Sequence, residues 1–448
     1  MQNKTDQWSS RLGFIFSAAG AAIGLGAIWK FPYMTGIHGG AAFLLLFIAF
    51  TVILGLPLLI AEFIIGRGAQ KEAVSAYRKL APSSFFKHTG KLGVIGGFIL
   101  MSFYSVVGGW VLIYSVMSIP GMIITDGANY QELFATITGN PVITIIGHGV
   151  FVILNILVIS FGIKNGIEKA SKILMPLLFI FFIIIVIRAV TFPGAGEGLS
   201  FFLKPDFSSL NAESVLYALG QSFFSLAVGL SMMVTYSSYL KKDVSLPASA
   251  GTVAIMNIFV SLLAGLAIFP IVFAVGLEPT EGPGLLFMVL PQAFAQMPLG
   301  ELFLCLFLFL FLFAVLTSSF SMLEIITSAF TANNNRSRTK VAWISGFIVF
   351  IAGIPAALSS STLANFKIFG LTVFDASDFL VSNIMLPIGC FLIAIFVTFK
   401  MNKAMVKQEF NYGKELSNGL YQTWFQIVRW LLPITVVIVF ASTIGLIK

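Results

Sequence analysis

The sequence predicts an all-α integral membrane protein of eleven transmembrane helices. The first ten are expected to form two inverted repeats of five, with helices 1 and 6 broken. Three observations predict this. Of the 448 residues, 58% are hydrophobic and only 10% are charged, with a mean hydropathy of +0.98; soluble domains carry about 25% charged residues. Apolar runs long enough to cross about 30 Å of hydrocarbon, at about 1.5 Å per residue, recur along the whole chain. Two of those runs, five apart in order, carry small residues where a lipid-facing helix would carry Leu, Ile or Phe.

The first run, roughly 11–36, places Gly20, Gly24 and Gly26 among alanines before Trp29-Lys-Phe-Pro32. Gly tolerates backbone angles outside the helical well. Unwound backbone at bilayer depth survives only where protein or a watery cavity satisfies its polar groups. The alternative for this run alone is a close helix–helix contact through small residues. The second run, 40–67, contains Pro57 and Glu62 and ends in Gly66-Arg67. The third, 90–122, carries Tyr104. The fourth and fifth, 142–162 and 166–191, are separated by a short loop near residue 163. In the fifth, Gly166 and Pro176 stand ten residues apart. Pro removes a helical hydrogen bond, at about 3 kcal/mol; unwinding toward an ion site and a static kink are both open. The sixth run, 214–240, again gathers Ser, Ala and Gly at its centre, between Gly220 and Ser231. Paired interruptions in two halves of a chain point to a transporter's central site. The seventh, 247–277, holds Asn257 and Ser261. The eighth, 300–330, holds Thr317-Ser-Ser319 and Glu324. The ninth, tenth and eleventh run 340–358, 374–399 and 424–446.

Positive charge sets the expected orientation. With the N-terminus in the cytoplasm, 20 of the 26 Lys and Arg fall in cytoplasmic segments, among them Lys4, Arg67, Arg336 and Lys414. The opposite loops hold Asp126, Glu132, Glu197, Asp206, Glu278 and Glu281. An odd number of spans places the C-terminus outside. The domain reading is therefore a cytoplasmic segment at 1–10, the first repeat at 11–191 and an extracellular loop at 192–213. The second repeat follows at 214–399, then a cytoplasmic loop plus span 11 at 400–448. Residues 1–11 lack a basic stretch before a short apolar core, so no cleavable signal is expected.

Composition also narrows the function. The net charge of +8 is spread over loops rather than gathered on a polar domain, so no nucleic-acid partner is expected. Cys305 and Cys390 lie in apolar runs and suggest no disulfide. His38, His88 and His148 show no zinc-protease spacing, and no pore-loop motif repeats. Neither an enzyme nor a channel is expected, and no obligate protein partner is evident.

Several motifs carry a resemblance. They are Trp8-Ser-Ser-Arg-Leu-Gly13, Ala22-Ile-Gly-Leu-Gly26 with Trp29-Lys-Phe-Pro32, and Gly39-Gly40-Ala-Ala-Phe43. Pro57 with Glu62 and Gly66-Arg67 follow, then Tyr104-Ser-Val-Val-Gly-Gly-Trp110 and Gly162-Ile-Lys-Asn-Gly-Ile-Glu168. Pro205-Asp-Phe207, Thr235-Tyr-Ser-Ser-Tyr239 and Thr317-Ser-Ser319 complete the set. In order and spacing the chain resembles the neurotransmitter:sodium symporter family, in its bacterial amino-acid transporter branch. The resemblance implies the five-plus-five LeuT fold and covers nearly the whole chain.

The resemblance implies a site for a zwitterion. The amides of Leu25 and Gly26 and the Tyr104 hydroxyl would hold a carboxylate; carbonyls near Ala22, Phe224 and Ala227 would face an ammonium. Leu100, Tyr104, Phe224, Ser225, Ala227, Leu230, Ser318 and Met322 complete the expected substrate set. Amine-carrying relatives have an acid at the Gly24 position, so Gly24 implies an amino acid. The largely apolar lining favours a neutral, hydrophobic one. One sodium site is implied by carbonyls of Gly20, Ile23 and Ala314 with hydroxyls of Thr317 and Ser318. A second matches at Ala22, Ser225 and Asn257 but has Ala27 where an Asn usually contributes oxygen. Ser261 with Gln221, Ser225 and Asn257 resembles a chloride site, with Phe47 in place of its Tyr. One sodium ion is the expectation, and chloride stays open.

By the same resemblance, Lys30 and Asp378 form an external gate above Phe224 and Tyr104. Trp8 and Tyr239 belong to an inner gate, where Thr5 replaces an Arg and the acid expected near Ala332 or Asn333 is absent. That gate is expected to rely on packing, or on Lys4 and Asp6. Glu62 would accept hydrogen bonds from broken backbone; Glu324 is read as neutral and structural. The predicted function is sodium-coupled import of neutral hydrophobic L-amino acids by alternating access across a bacterial plasma membrane. A proton-coupled amino-acid symporter of the same fold is the rival.

Overall fold

The computed structural model describes residues 6–125, 127–278, 284–332, 337–413, 417–443 and 446. Lys4, Thr5, Asp126, Glu281, Asn333, Arg336 and Lys414, which entered the charge and gate readings, lie outside them. Among the described residues every regular element is helical.

Among the described residues, nine helices are long and apolar enough to cross a membrane. They are Ala41–Ala69, Phe85–Ser118, Pro141–Ser160 and Ile163–Val190 (spans 2–5), then Leu246–Ala274, Gly300–Ala332, Arg338–Ala357, Val373–Lys400 and Asn418–Ser442 (spans 7–11). Span 1 is the pair Arg11–Ala22 and Gly26–Ile37, bent by 52° at its break. Span 6 is in two short pieces, Ala212–Ser225 and Met232–Ser238, joined through non-helical residues 226–231. Both interruptions fall where small residues cluster in the sequence, and the span order is the one expected.

Shorter helices occupy the connections: Ala73–Leu80, Tyr130–Gly139, Gly196–Leu203, Leu285–Ala295 and Lys403–Asn411. A search for runs that cross about 30 Å does not register them, because they are too short. Side chains cap several of them. Glu72 accepts from the amides of Val74 (2.7 Å) and Ser75 (2.9 Å), and Asn402 from that of Ala404 (2.9 Å). Capping satisfies amides that have no partner within the helix.

Glycine lets the spans meet backbone to backbone at the interruption in span 6. A Cβ on Gly66 of span 2 would overlap the Val234 carbonyl, and one on Gly389 of span 10 would overlap the Gly229 carbonyl. Span 10 thus presses directly on the unwound segment, and span 2 on the first turn of the helix that follows it.

One end of the molecule is basic and carries Trp8 and Arg67; it is called the basic face below. There, a buried ion pair fastens the helix Lys403–Asn411 to span 2. Arg67 Nε donates to Glu409 Oε2 at 2.7 Å, with the Arg67 side chain fully buried and that of Glu409 3% exposed. The remaining guanidinium nitrogens donate to the carbonyls of Glu409 and Val244. Arg67 therefore joins three segments.

Removing one member of a buried pair strands the other, at about 3–5 kcal/mol. Arg67→Ala is expected to lower the apparent melting temperature in detergent sharply. The double variant Arg67→Met/Glu409→Leu, which removes both charges, should recover most of that loss. A double variant as unstable as the single one would show that the clasp is not electrostatic.

Candidate functional site

The site is built from the two interruptions. In span 1 the Ser10 hydroxyl caps the helix by accepting from the Gly13 amide at 3.0 Å. The helix runs until Ile23 N donates to the Ala19 carbonyl (2.7 Å); Gly24 N then turns to Ala22 O (3.1 Å). The next amide leaves the helix altogether. Leu25 N donates to the Tyr104 hydroxyl at 3.3 Å. Just beyond, the Gly26 carbonyl accepts from Gln221 Nε2 at 2.6 Å, tying span 1 to span 6.

In span 6 the backbone takes positive φ three times, at Ala227 (52°), Gly229 (97°) and Ser231 (57°). Left-handed backbone at a non-glycine residue costs about 1–3 kcal/mol and persists only when its surroundings enforce it. Glu62, fully buried in span 2, is one enforcing group: its carboxylate accepts from Gly229 N (2.7 Å) and Val234 N (3.3 Å). Tyr77, from the helix Ala73–Leu80, is another, with its hydroxyl 3.0 Å from Ser231 Oγ. Asn257 Nδ2 of span 7 donates to the Ser225 carbonyl at 2.8 Å, where the outer half of span 6 ends.

Between the interruptions lies a central cavity of about 30 Å³. Of the predicted substrate residues, Ala22, Leu25, Gly26, Leu100, Tyr104, Phe224, Ala227, Leu230, Ser318 and Met322 line it. Ser225 lies behind, bonded to Asn257. Val381 and Leu386 of span 10 also line the cavity and were not anticipated. A volume of this size holds about two waters. Above it opens a vestibule of about 730 Å³, lined by Lys30, Asp378, Tyr104 and Phe224 among others. Phe224 and Tyr104 border both spaces, so these rings separate them.

Gly24 is closely confined. A Cβ there would fall 2.5 Å from the Tyr104 hydroxyl and 2.6 Å from Ser318 Oγ. No side chain fits at this position without displacing the groups expected to receive a ligand.

The predicted ion ligands gather on one side of the cavity. A Cβ on Gly20 would lie 2.8 Å from Thr317 Cβ and 3.2 Å from Thr317 Oγ1, so spans 1 and 8 are nearly in contact there. Ser318 Oγ crosses to the Ala21 carbonyl at 3.0 Å. Thr317 Oγ1 back-bonds to the carbonyls of Phe313 (2.9 Å) and Ala314 (3.1 Å). The donor set is neutral oxygen only. Among the described residues no cluster of three His, Cys, Asp or Glu exists. Divalent cations are usually held by carboxylates, so this set suits a monovalent ion. At the second location Asn257 Oδ1 and Ser261 Oγ, one helical turn apart, are buried without hydrogen-bond partners. Ala27, buried nearby in the chain, offers no side-chain oxygen.

The two faces differ. On the vestibule side Lys30 Nζ stands 4.0 Å from Asp378 Oδ2 and 4.6 Å from the centre of the Phe224 ring. Ser382 donates to the other Asp378 oxygen at 2.8 Å. On the basic face the chain is sealed. Trp8 Nε1 donates to the Tyr236 carbonyl (2.8 Å), and Trp8 N to that of Tyr239 (3.3 Å). Ser9 N donates to Glu168 Oε2 at 2.7 Å, while Asp6 accepts from Ile163 N at 3.0 Å. Asp6 therefore anchors the start of span 5.

Glu324 departs from its expected passive role. Its carboxylate forms an ion pair with Arg338 of span 9 and accepts from the Tyr239 hydroxyl at 2.7 Å. This cluster lies where the resemblance placed an inner gate, for which Lys4 was one expected contributor; Lys4 lies outside the described residues. Span 5 is one continuous helix through Gly166 and Pro176. Gly166 has a packing role, since a Cβ there would overlap the Val158 carbonyl of span 4. Just past span 1, burial lowers the pKa of His38 against a smaller opposing pull from Glu213.

Comparison with known proteins places these features. The sequence matches the Sodium:neurotransmitter symporter family over residues 5–127 and 139–448. It is 48% identical, over 100% of this chain and 99% of the relative, to the sodium-dependent transporter YhdH of Bacillus subtilis strain 168. It is 26% identical to the sodium- and chloride-dependent GABA transporter 2 of Rattus norvegicus, over 72% of this chain and 61% of that one. The crystal structure of MhsT in complex with L-phenylalanine superposes with a TM-score of 0.91 at 40% identity, covering 98% and 99% of the two chains.

Glu62→Gln tests the hold on span 6. It replaces one accepting oxygen by an amide that faces a backbone donor, and hydrogen bonds to charged groups are worth about 1.5–3 kcal/mol each. A marked fall in melting temperature is expected, with faster hydrogen exchange confined to residues 226–234. Unchanged exchange there would assign the geometry of span 6 to its own sequence.

Proposed function

The chain belongs to the sodium:neurotransmitter symporter family, and from that membership we propose that it imports neutral, hydrophobic L-amino acids with one sodium ion by alternating access. The observation that carries this reading is the small apolar cavity bounded by two interrupted spans, with a tyrosine hydroxyl already on a freed amide. Freed amides at a half-helix start attract anions, and freed carbonyls at a half-helix end attract cations. The amides of Leu25 and Gly26 with Tyr104 therefore receive the carboxylate. Carbonyls of Ala22, Phe224 and Ala227 receive the ammonium. Leu100, Leu230, Met322 and Val381 surround the side chain with no charged group among them. Confinement of Gly24 leaves no room for the acid that an amine substrate would need.

Gly20, Ile23, Ala314, Thr317 and Ser318 would hold the sodium ion, which supplies positive charge beside the substrate and joins spans 1 and 8. Ala27 leaves the second location one oxygen short, which supports a single ion. Proton coupling finds less support. Glu62 and Glu324, the acids anticipated within spans, are both engaged in hydrogen bonds. The substrate enters past Lys30 and Asp378 while Trp8, Tyr239, Glu324 and Arg338 keep the basic face shut. That face is assigned to the cytoplasm of a bacterial cell, with the C-terminus outside.

Uptake by proteoliposomes decides the matter. L-phenylalanine or L-leucine should accumulate under an inward sodium gradient and not when choline replaces sodium. Accumulation driven by a pH gradient alone would overturn sodium coupling, and two sodium ions per substrate would overturn the single-ion reading. Two variants separate the sites. Tyr104→Phe, which removes the hydroxyl on the Leu25 amide, should weaken amino-acid binding at least about tenfold, or about 1.4 kcal/mol, while leaving sodium-induced stabilisation intact. Thr317→Val should abolish the sodium response.

A further inference from the structure

We propose that Arg429 and Lys400 form a binding site for the phosphate of an anionic membrane phospholipid on the outer surface of spans 10 and 11. The proposed transport does not use the charge of Arg429. Arg429 lies within span 11 and lines neither cavity. Its neighbours on that span face outward: Trp430 is 55% exposed, Leu431 41% and Ile434 57%. A surface of this kind on a membrane span meets lipid.

A guanidinium there is costly unless it is paired. Among the described residues Arg429 forms no salt bridge, and its Nε is buried without a hydrogen-bond partner. Two rings hold it in place. Its Cζ lies 5.0 Å from the centre of Phe399 and 5.1 Å from that of Trp430, and these rings meet edge to face at 6.1 Å. Stacking on rings fixes the guanidinium plane but supplies no acceptor for its N–H groups.

The missing partner is an oxygen anion that reaches a lipid-facing surface, and a phospholipid phosphate meets that description. A guanidinium presents a planar fork matched to phosphate oxygens. The depth is suitable too: Phe399 is the penultimate residue of span 10 (Val373–Lys400), so Arg429 extends toward the basic-face end, as long cationic side chains do in membranes. Lys400, exposed and adjacent to Phe399, stands with its Nζ 5.9 Å from the Phe86 ring and adds a second positive charge. Positive charge from both side chains at this end of span 10 favours a headgroup with net negative charge over a zwitterionic one.

The test uses purified full-length protein in nanodiscs of phosphatidylglycerol or phosphatidylcholine, with melting temperature and native mass spectrometry as readouts. The wild type should melt higher in phosphatidylglycerol and retain one tightly bound molecule of it. Arg429→Gln should lose at least threefold of the bound fraction together with the melting difference, Arg429→Lys should keep part of both, and Lys400→Gln should reduce the preference between headgroups. Should Arg429→Gln fold poorly, Phe399→Ala and Lys400→Gln carry the same expectation of weakened retention. Equal retention of both lipids, an unchanged preference in Arg429→Gln, or reproduction of the effect by inorganic phosphate in detergent would each overturn the proposal. A dimer that Arg429→Gln dissociates would also overturn it, giving the surface to a second copy of the chain.

Discussion

The structure depends on one buried carboxylate. Glu62 holds the amides of Gly229 and Val234 and so keeps six residues of span 6 unwound inside a membrane protein. Without acceptors these amides would carry a desolvation penalty, and the chain would regain hydrogen bonds by closing into a continuous helix. A continuous span 6 would carry no main-chain dipoles at mid-depth. Tyr77 and Asn257 support the same interruption at Ser231 and Ser225, and the central cavity lies beside it.

Glycine performs the complementary task. Gly389 lets span 10 touch the unwound backbone and Gly66 lets span 2 touch the helix that follows it, while Gly20 and Gly24 let span 8 and Tyr104 approach span 1. Side chains at these positions would hold the helices apart and open the cavity to water. In a dry site, hydrogen bonds and dipoles act at low effective dielectric and are stronger than in water. Close approach and electrostatics are thus two aspects of one design.

The two faces are closed by different chemistry. Lys30 and Asp378 are a loose, partly exposed pair beside a wide vestibule. Trp8, Tyr239, Glu324 and Arg338 are largely buried and linked by hydrogen bonds on the other side. Exposed pairs contribute little, typically under about 1 kcal/mol, whereas buried networks resist rearrangement. The basic face is therefore held by the more buried and more extensively hydrogen-bonded contacts of the two.

Much of this was legible in the residues. Composition determined a membrane protein, because charge and apolar run length are local properties that the bilayer constrains directly. Gly20, Gly24 and Gly26, and the small cluster between Gly220 and Ser231, marked where the spans would break. The family resemblance named ten of the residues that line the cavity, and missed Ala21, Val228, Met232, Val381 and Leu386. Tertiary structure alone decided the partnerships. Glu324 meets Arg338 and Tyr239, Tyr77 meets Ser231 across 154 positions, and Arg67 meets Glu409 across 342. No periodicity connects residues so far apart. Whether a buried polar group is paired or stranded depends on which helices the fold brings together, and that is also why the unpartnered guanidinium of Arg429 emerged only in three dimensions.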